Sequence, residues 1–141
     1  MLIEIKQNVK EAKGLLSHCI WKPTDEKINE IISKYFSGDN MRLFLLSDSS
    51  GLIGIRDAGK KIIEICHIAV SADKRKKGTG RLLIQEIIDY TNCIKIFAET
   101  DDDAVEFYRK CGFKIKSLGE KYQGIVRYYC EMNCGGKSNI D

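Results

Sequence analysis

The stretch Val70-Ser-Ala-Asp-Lys-Arg-Lys-Lys-Gly-Thr-Gly-Arg-Leu-Leu83 places the end of an apolar run, a basic glycine loop and the start of a helix in immediate succession. Gly78 and Gly80 remove Cβ atoms where a backbone turns tightly or approaches a ligand closely, and the helix that follows presents unpaired N–H groups and a positive dipole end. Lys74, Arg75, Lys76, Lys77 and Arg81 put five positive charges around that point, more than one phosphate needs and suited to a ligand carrying several. The chemistry these residues suit is that of an anion cradle. A Lys/Arg run before a helix also occurs as a solvated face, a nuclear-import address or a nucleic-acid patch. None of these requires glycines at 78 and 80 between a buried-type strand and an amphipathic helix. The other glycine-loop candidate, Gly136-Lys137-Ser138, ends like a P-loop but carries Glu131 where the first glycine is needed.

Arg75-Lys-Lys-Gly78-Thr-Gly80 resembles the Arg/Gln-x-x-Gly-x-Gly/Ala motif of the GNAT acetyltransferase superfamily. Ile68-Ala-Val70 stands just before it, and Ala104-Val-Glu-Phe-Tyr108-Arg-Lys-Cys-Gly112-Phe113 downstream resembles the second signature of that family, in order and at similar spacing. The resemblance implies an acetyl-CoA-dependent N-acetyltransferase that moves an acetyl group directly to a primary amine. It places the cofactor phosphates at Arg75, Lys76, Lys77, Gly78, Thr79, Gly80 and Arg81. It also implies two strands that splay apart, with the pantetheine arm between them paired to the free N–H and C=O groups of Ile68, Ala69 and Val70 as a neighbouring strand would be. The competing reading from another class is a catalytically silent acyl-CoA-binding or basic-patch interaction module.

Acetyl transfer needs a neutral amine, and an alkyl ammonium with a pKa of about 10.4 gives up its proton at pH 7 against roughly 4–5 kcal/mol. A general base lowers that barrier. Glu64 is the only acid in the apolar run Ile62 to Val70, so its carboxylate either faces solvent on a half-exposed strand or lines a cleft at sheet level. By position it matches the family's strand glutamate that acts as base through a water. His67 is a weaker candidate, better read as a hydrogen-bonded sheet histidine. Tyr108 shares a helix face with Ala104, Phe107 and Cys111, which reads as a core aromatic. Its position also matches the family tyrosine that protonates the departing thiolate. Thr100-Asp-Asp-Asp103 has a capping-box spacing from Thr100 to Asp103 and reads first as a helix start. The family commonly has Asn at the place of Asp101, and an acidic rim of Asp101 and Asp103 would instead steer a cationic amine.

The elements that position these residues are legible from periodicity. Leu2, Ile3 and Ile5 predict a first strand, and Val9, Ala12, Leu15, Leu16 and Cys19 recur at helical spacing. Thr24 and Asp25 cap a second helix with Ile28, Ile31, Ile32, Tyr35 and Phe36 on one face, ended by Gly38. Strand-like runs at 41–47, 52–56 and 61–70 are separated by Asp48-Ser-Ser-Gly51 and Asp57-Ala-Gly59, which are hairpin signals. A helix at 81–90, a strand at 94–98 and a helix at 102–111 follow, and strand, helix, strand implies a parallel crossover. Phe113, Ile115 and Leu118 lead into a closing hairpin with Val126, Tyr128, Cys130 and Met132 on one face. The expected fold is therefore α/β (α+β), a mixed, mostly antiparallel sheet with helices on both faces. It occupies residues 1–134 as a single domain, with 135–141 a flexible tail.

At 141 residues, 43% of them apolar and 30% charged, the chain has the size and composition of one globular domain. The net charge of +3 makes the basic character local to residues 74–81, so bulk attraction to nucleic acid or to an anionic membrane is not implied. No apolar run approaches a membrane span, and Glu4 and Lys6 interrupt the only apolar run near the start, which argues for a cytoplasmic protein. Six cysteines form no Cys-x-x-Cys pair, and neither His18 nor His67 stands at ligand spacing from a cysteine pair. They read as small buried hydrophobes, with no metal and no disulfide expected. The expected partners are acetyl-CoA and an amine acceptor, and the chain is a monomer or a homodimer.

Overall fold

The computed structural model describes residues 1–7, 9–38 and 40–135. The chain folds as β1 (Leu2–Ile5), α1 (Lys10–Leu16), a 3₁₀ turn (Ser17–Cys19), α2 (Asp25–Ser37), β2 (Met41–Leu46), β3 (Gly51–Asp57) and β4 (Ile62–Val70). After a second 3₁₀ turn (Ala72–Lys74) come α3 (Thr79–Thr91), β5 (Lys95–Thr100), α4 (Val105–Lys110), β6 (Lys114–Tyr122) and β7 (Ile125–Asn133). The expected mixed sheet is present, with seven strands in the order β1-β2-β3-β4-β5-β7-β6. Among the described residues only the β4–β5 pair is parallel, joined by the crossover helix α3.

Alternation along the strands divides the interior into two cores, one on each face of the sheet. Leu43 and Leu52 point to the α1/α2 face, where they meet Leu15, Leu16, Ile28 and Ile32. Their neighbours Phe44 and Ile53 point the other way, onto Leu83 and Ile87 of α3 and onto Tyr108 and Phe113. Helix α2 forms where the i, i+3, i+4 spacing predicts it, and Thr24 Oγ1 accepts from Lys27 N at 3.2 Å as its cap. Gly135, the first residue of the expected tail, donates its N–H to Ile94 O at 3.1 Å. The remainder of that tail, with the Gly136-Lys137-Ser138 sequence, lies outside the described residues.

Two departures from regular geometry shape the centre of the sheet. Ladder pairing between β4 and β5 runs from Ile62↔Lys95 to Glu64↔Phe97 and stops. Beyond that point β4 pairs only with β3, and β5 only with β7, so the two strands diverge. The register between β3 and β4 also slips, from Gly54↔His67 to Ile55↔Ile65, which leaves Cys66 as the extra residue of a bulge. Ile63 and Ile65 face the α3/α4 core before the bulge, and Ile68 and Val70 face it afterwards. Without the extra residue that alternation would reverse.

Candidate active site

The basic loop closes on itself through its own side chains. Arg75 Nε donates to Val70 O at 3.1 Å and Thr79 Oγ1 donates to Lys74 O at 3.2 Å. Gly78 is the N-cap of α3 at φ 84, a left-handed conformation that glycine adopts without strain. No side chain caps the helix, and the N–H groups of Thr79, Gly80 and Arg81 have no hydrogen-bond partner among the described residues. Three free donors at the positive end of a thirteen-residue helix are what an anion requires. They open onto a groove of about 270 Å³ bounded by Lys74, Arg75, Lys76, Arg81, Phe107 and Lys110, among others.

The two glycines have different purposes. A Cβ on Gly78 would meet nothing within 4 Å, so this residue serves the turn and leaves the groove open. A Cβ on Gly80 would stand 2.7 Å from Cε1 of Phe107, so Gly80 serves the packing of α3 against α4. Arg81 donates to Lys110 O and ties the same two helices together. Lys77 is not among the groove residues, whereas Phe107 and Lys110 are. Their i, i+3 spacing puts these two on one face of α4, a signal the sequence did carry.

At the diverging strands, Ser71 N donates across to Ser50 O at 2.9 Å. Hydrogen-bonding direction alternates along a strand, so Ala69 also turns its polar groups towards β3, while Ile68 and Val70 turn theirs to the open edge. The expectation that Ala69 offers free groups to the cleft is therefore corrected. Its backbone belongs to the β3 ladder and its side chain to the α1/α2 core. Ile68 O accepts from Cys19 Sγ at 3.4 Å, and Val70 O is the acceptor of the Arg75 bond.

Glu64 is the last β4 residue paired with β5, so its carboxylate stands where the sheet begins to open. Its neighbours Ile63 and Ile65 face the α3/α4 core, so it projects from the α1/α2 face. There Arg56, directly opposite on β3, donates Nε to Glu64 Oε1 at 2.7 Å. Tyr108 is 4% exposed and lies on the other face, edge-on to Phe107 and Phe113. Among the described residues its hydroxyl has no hydrogen-bond partner and no fully buried side-chain oxygen or nitrogen lacks one, so that oxygen keeps some contact with solvent. Burial pushes the Tyr108 hydroxyl well above the usual phenol range, with the nearby Cys130, Cys19 and Cys111 thiols acting in the same direction. The group stays protonated across the working pH range and is a standing donor.

His67 is hydrogen-bonded in the sheet, as expected. Its Nδ1 lies 2.6 Å from the Tyr35 hydroxyl of α2, and burial, with the Lys34 ammonium, holds it below the usual imidazole range. The Tyr35 ring fits there because Gly54 faces His67 across the ladder without a side chain. Burial pushes the thiols of Cys19 and Cys66, on the same face, up to about 11. Among the described residues no three His, Cys, Asp or Glu side chains cluster to hold a metal ion. No helix among them is long and apolar enough to cross a membrane.

The acidic segment does not form the expected capping box. Thr100 is a buried end of β5, the helix starts at Val105 rather than 102, and Asp103 is exposed. Asp101 takes the capping role, its Oδ1 accepting from Asp103 N at 3.0 Å and Ala104 N at 3.3 Å. The Asp101 carboxylate reaches N–H groups two and three residues on, while its own carbonyl accepts from Ala104 N and Val105 N, so the turn before α4 is built on Asp101 rather than on Thr100. Asp102 Oδ1 accepts from the Tyr128 hydroxyl at 2.6 Å. Asp101→Ala should therefore cost about 1 kcal/mol of stability, and Asp103→Ala less than about 0.5 kcal/mol, in parallel urea melts. Equal losses would restore the box.

Comparison with known proteins gives the family of the chain. A family model described as an acetyltransferase (GNAT) domain matches residues 11–132. An uncharacterised N-acetyltransferase in the lysA 3′ region of Bacillus methanolicus is 29% identical over 93 residues, covering 63% of this chain and 78% of that one. Among solved structures, the aminoglycoside 6′-N-acetyltransferase from Enterococcus faecium superposes with a TM-score of 0.75 at 17% identity, over 94% of this chain and 96% of its own. A protein described as a streptothricin acetyltransferase from Bacillus anthracis, solved with acetyl coenzyme A, gives 0.61 at 24% identity over 72% and 68%. With the family model spanning both signatures and nearly the whole sheet, the chain belongs to the GNAT acetyltransferases.

Proposed function

We propose that this chain is an acetyl-CoA-dependent N-acetyltransferase that acetylates a primary amine by direct transfer. The observation that carries the reading is the open edge of β4 leading into the groove at α3. The free N–H groups of Thr79, Gly80 and Arg81, with Lys74, Lys76 and Lys110 around them, suit a pyrophosphate and a further phosphate. Ile68 and Val70 direct their polar groups to the edge along which an extended, amide-bearing arm would run. Similar folds act on amines, the aminoglycoside enzyme among them.

Glu64 and Tyr108 are assigned the two proton roles, from opposite faces of the sheet, with Glu64 at the point where β4 and β5 diverge. Glu64 Oε2 has no hydrogen-bond partner among the described residues, which leaves it as an acceptor for the amine proton through a water. Tyr108 donates to the sulfur as charge develops there. Thiols held near 11 are less than about one part in a thousand thiolate at pH 7, so Cys19 and Cys66 are poor nucleophiles and direct transfer is favoured over an acyl-cysteine. Tyr108→Phe should lower turnover at least about tenfold at saturating acetyl-CoA with melting nearly unchanged. Unaltered turnover would leave the ring as core packing alone.

The test of the whole reading is release of free thiol from acetyl-CoA against a panel of polyamines, aminoglycosides, amino acids and lysine peptides. Acetyl-CoA at about a hundred times its Kd should also stabilise the fold by about 2.7 kcal/mol, a melting shift of several degrees. Gly78→Val should abolish that shift; the added side chain meets nothing within 4 Å, but at φ 84 it carries backbone strain of about 1–3 kcal/mol, which the ligand-free melt of the variant reads separately. A shift without thiol release from any amine would favour the silent acyl-CoA-binding module.

A further inference from the structure

Cys93 and Cys134 are 41 positions apart in the chain, yet their Sγ atoms lie 3.4 Å from each other. Theirs is the only sulfur–sulfur hydrogen bond among the described residues, and both thiols are free. Cys93 follows Asn92, the left-handed cap of α3, and is 3% exposed. Cys134 follows the last residue of β7 and is half-buried. The backbone around the pair is held firmly, because Ile94 O accepts from both Cys134 N at 2.9 Å and Gly135 N at 3.1 Å. Both cysteines also line a cavity of about 430 Å³ that reaches solvent between α3 and the end of β7. A small oxidant has access, and the sulfurs have room to close to the bonded distance of about 2.05 Å.

We propose that Cys93 and Cys134 are an oxidisable dithiol, a modification site for hydroperoxides whose disulfide staples the end of β7 to the connection between α3 and β5. The reaction joins the two sulfurs and breaks one O–O bond. Two thiols and one hydrogen peroxide give one disulfide and two waters, with both thiol protons and both electrons passing to the peroxide oxygens. Burial and the adjacent Cys93 thiol push Cys134 up to about 12, so the step is slow at neutral pH and accelerates in alkali. This is a staple that accumulates under sustained oxidation. It closes a long loop of the unfolded chain and so stabilises the fold. None of this depends on the acetyl-transfer reading.

The test is to expose the full-length protein to hydrogen peroxide at pH 8, alkylate it under denaturing conditions and map the cross-link. Digestion with trypsin and with a protease cutting after Glu131 puts Cys130 and Cys134 on different peptides. Two of the six cysteines should escape alkylation, a 93–134 peptide pair should appear, and melting should rise by at least about 5 °C, reversed by dithiothreitol. Cys134→Ser, chosen because Cys93 is the more deeply buried partner, should show neither the pair nor the rise. Oxygen adducts without a bridge, a bridge involving Cys111 or Cys130, or a bridged protein that melts no higher would each overturn the proposal.

Discussion

Glu64→Gln should lower turnover by about 10²–10⁴-fold while acetyl-CoA affinity changes by less than about threefold. The substitution keeps the shape of the side chain and removes its charge and, with it, its capacity to accept a proton. It also weakens the contact with Arg56, but both partners are partly exposed, and such pairs contribute about 0–1 kcal/mol, too little to unfold the chain. Arg56→Gln is the control, since it releases the carboxylate without removing it. If Glu64 is the base, the arginine variant retains most activity, or loses it only through misorientation that a higher amine concentration does not repair. A glutamine variant within threefold of wild type at pH 7 would make Glu64 a surface partner of Arg56 and nothing more.

Gly54→Ala should be the most damaging single methyl that can be added to the sheet. The new Cβ would collide with the Tyr35 hydroxyl oxygen and with its Cζ. Tyr35 is 3% exposed and cannot swing into solvent without opening the α1/α2 core. Overpacking of this kind, with loss of the bond to His67, should cost about 2–4 kcal/mol and lower the melting temperature by roughly 6–12 °C. The double variant Gly54→Ala/Tyr35→Ala should lose much less than the sum of the two single losses, because the added methyl has then nothing to strike. Strict additivity would show that the glycine is not there for the ring.

The elements that sequence periodicity located are those whose signal is local. The apolar stripe of α2 and the hairpin turns before β3 and β4 each depend on residues within a few positions of one another. The basic glycine loop was equally plain, because cation, turn and helix start are contiguous. The divergence of β4 and β5 was available only through resemblance, since nothing in Ile62–Val70 records where its neighbour departs. The bulge at Cys66 was invisible for a similar reason: one extra residue in an unbroken apolar run leaves no mark. Gly54 gave no hint of Tyr35, nor Cys93 of Cys134, because each pair meets only in the folded chain. The acidic segment misled through excess, offering several capping residues of which geometry selects Asp101.

The contact between Gly80 and Phe107 makes one device of two motifs that stand far apart in the sequence. Phe107 occupies the space that any side chain at position 80 would need, so the two positions are a lock in which the size of one dictates the size of the other. In a lineage of this chain, a larger residue at 80 should survive only alongside a smaller one at 107. The reverse order of change, shrinking 107 first, is the passable route, because a small void between two helices costs less than a collision.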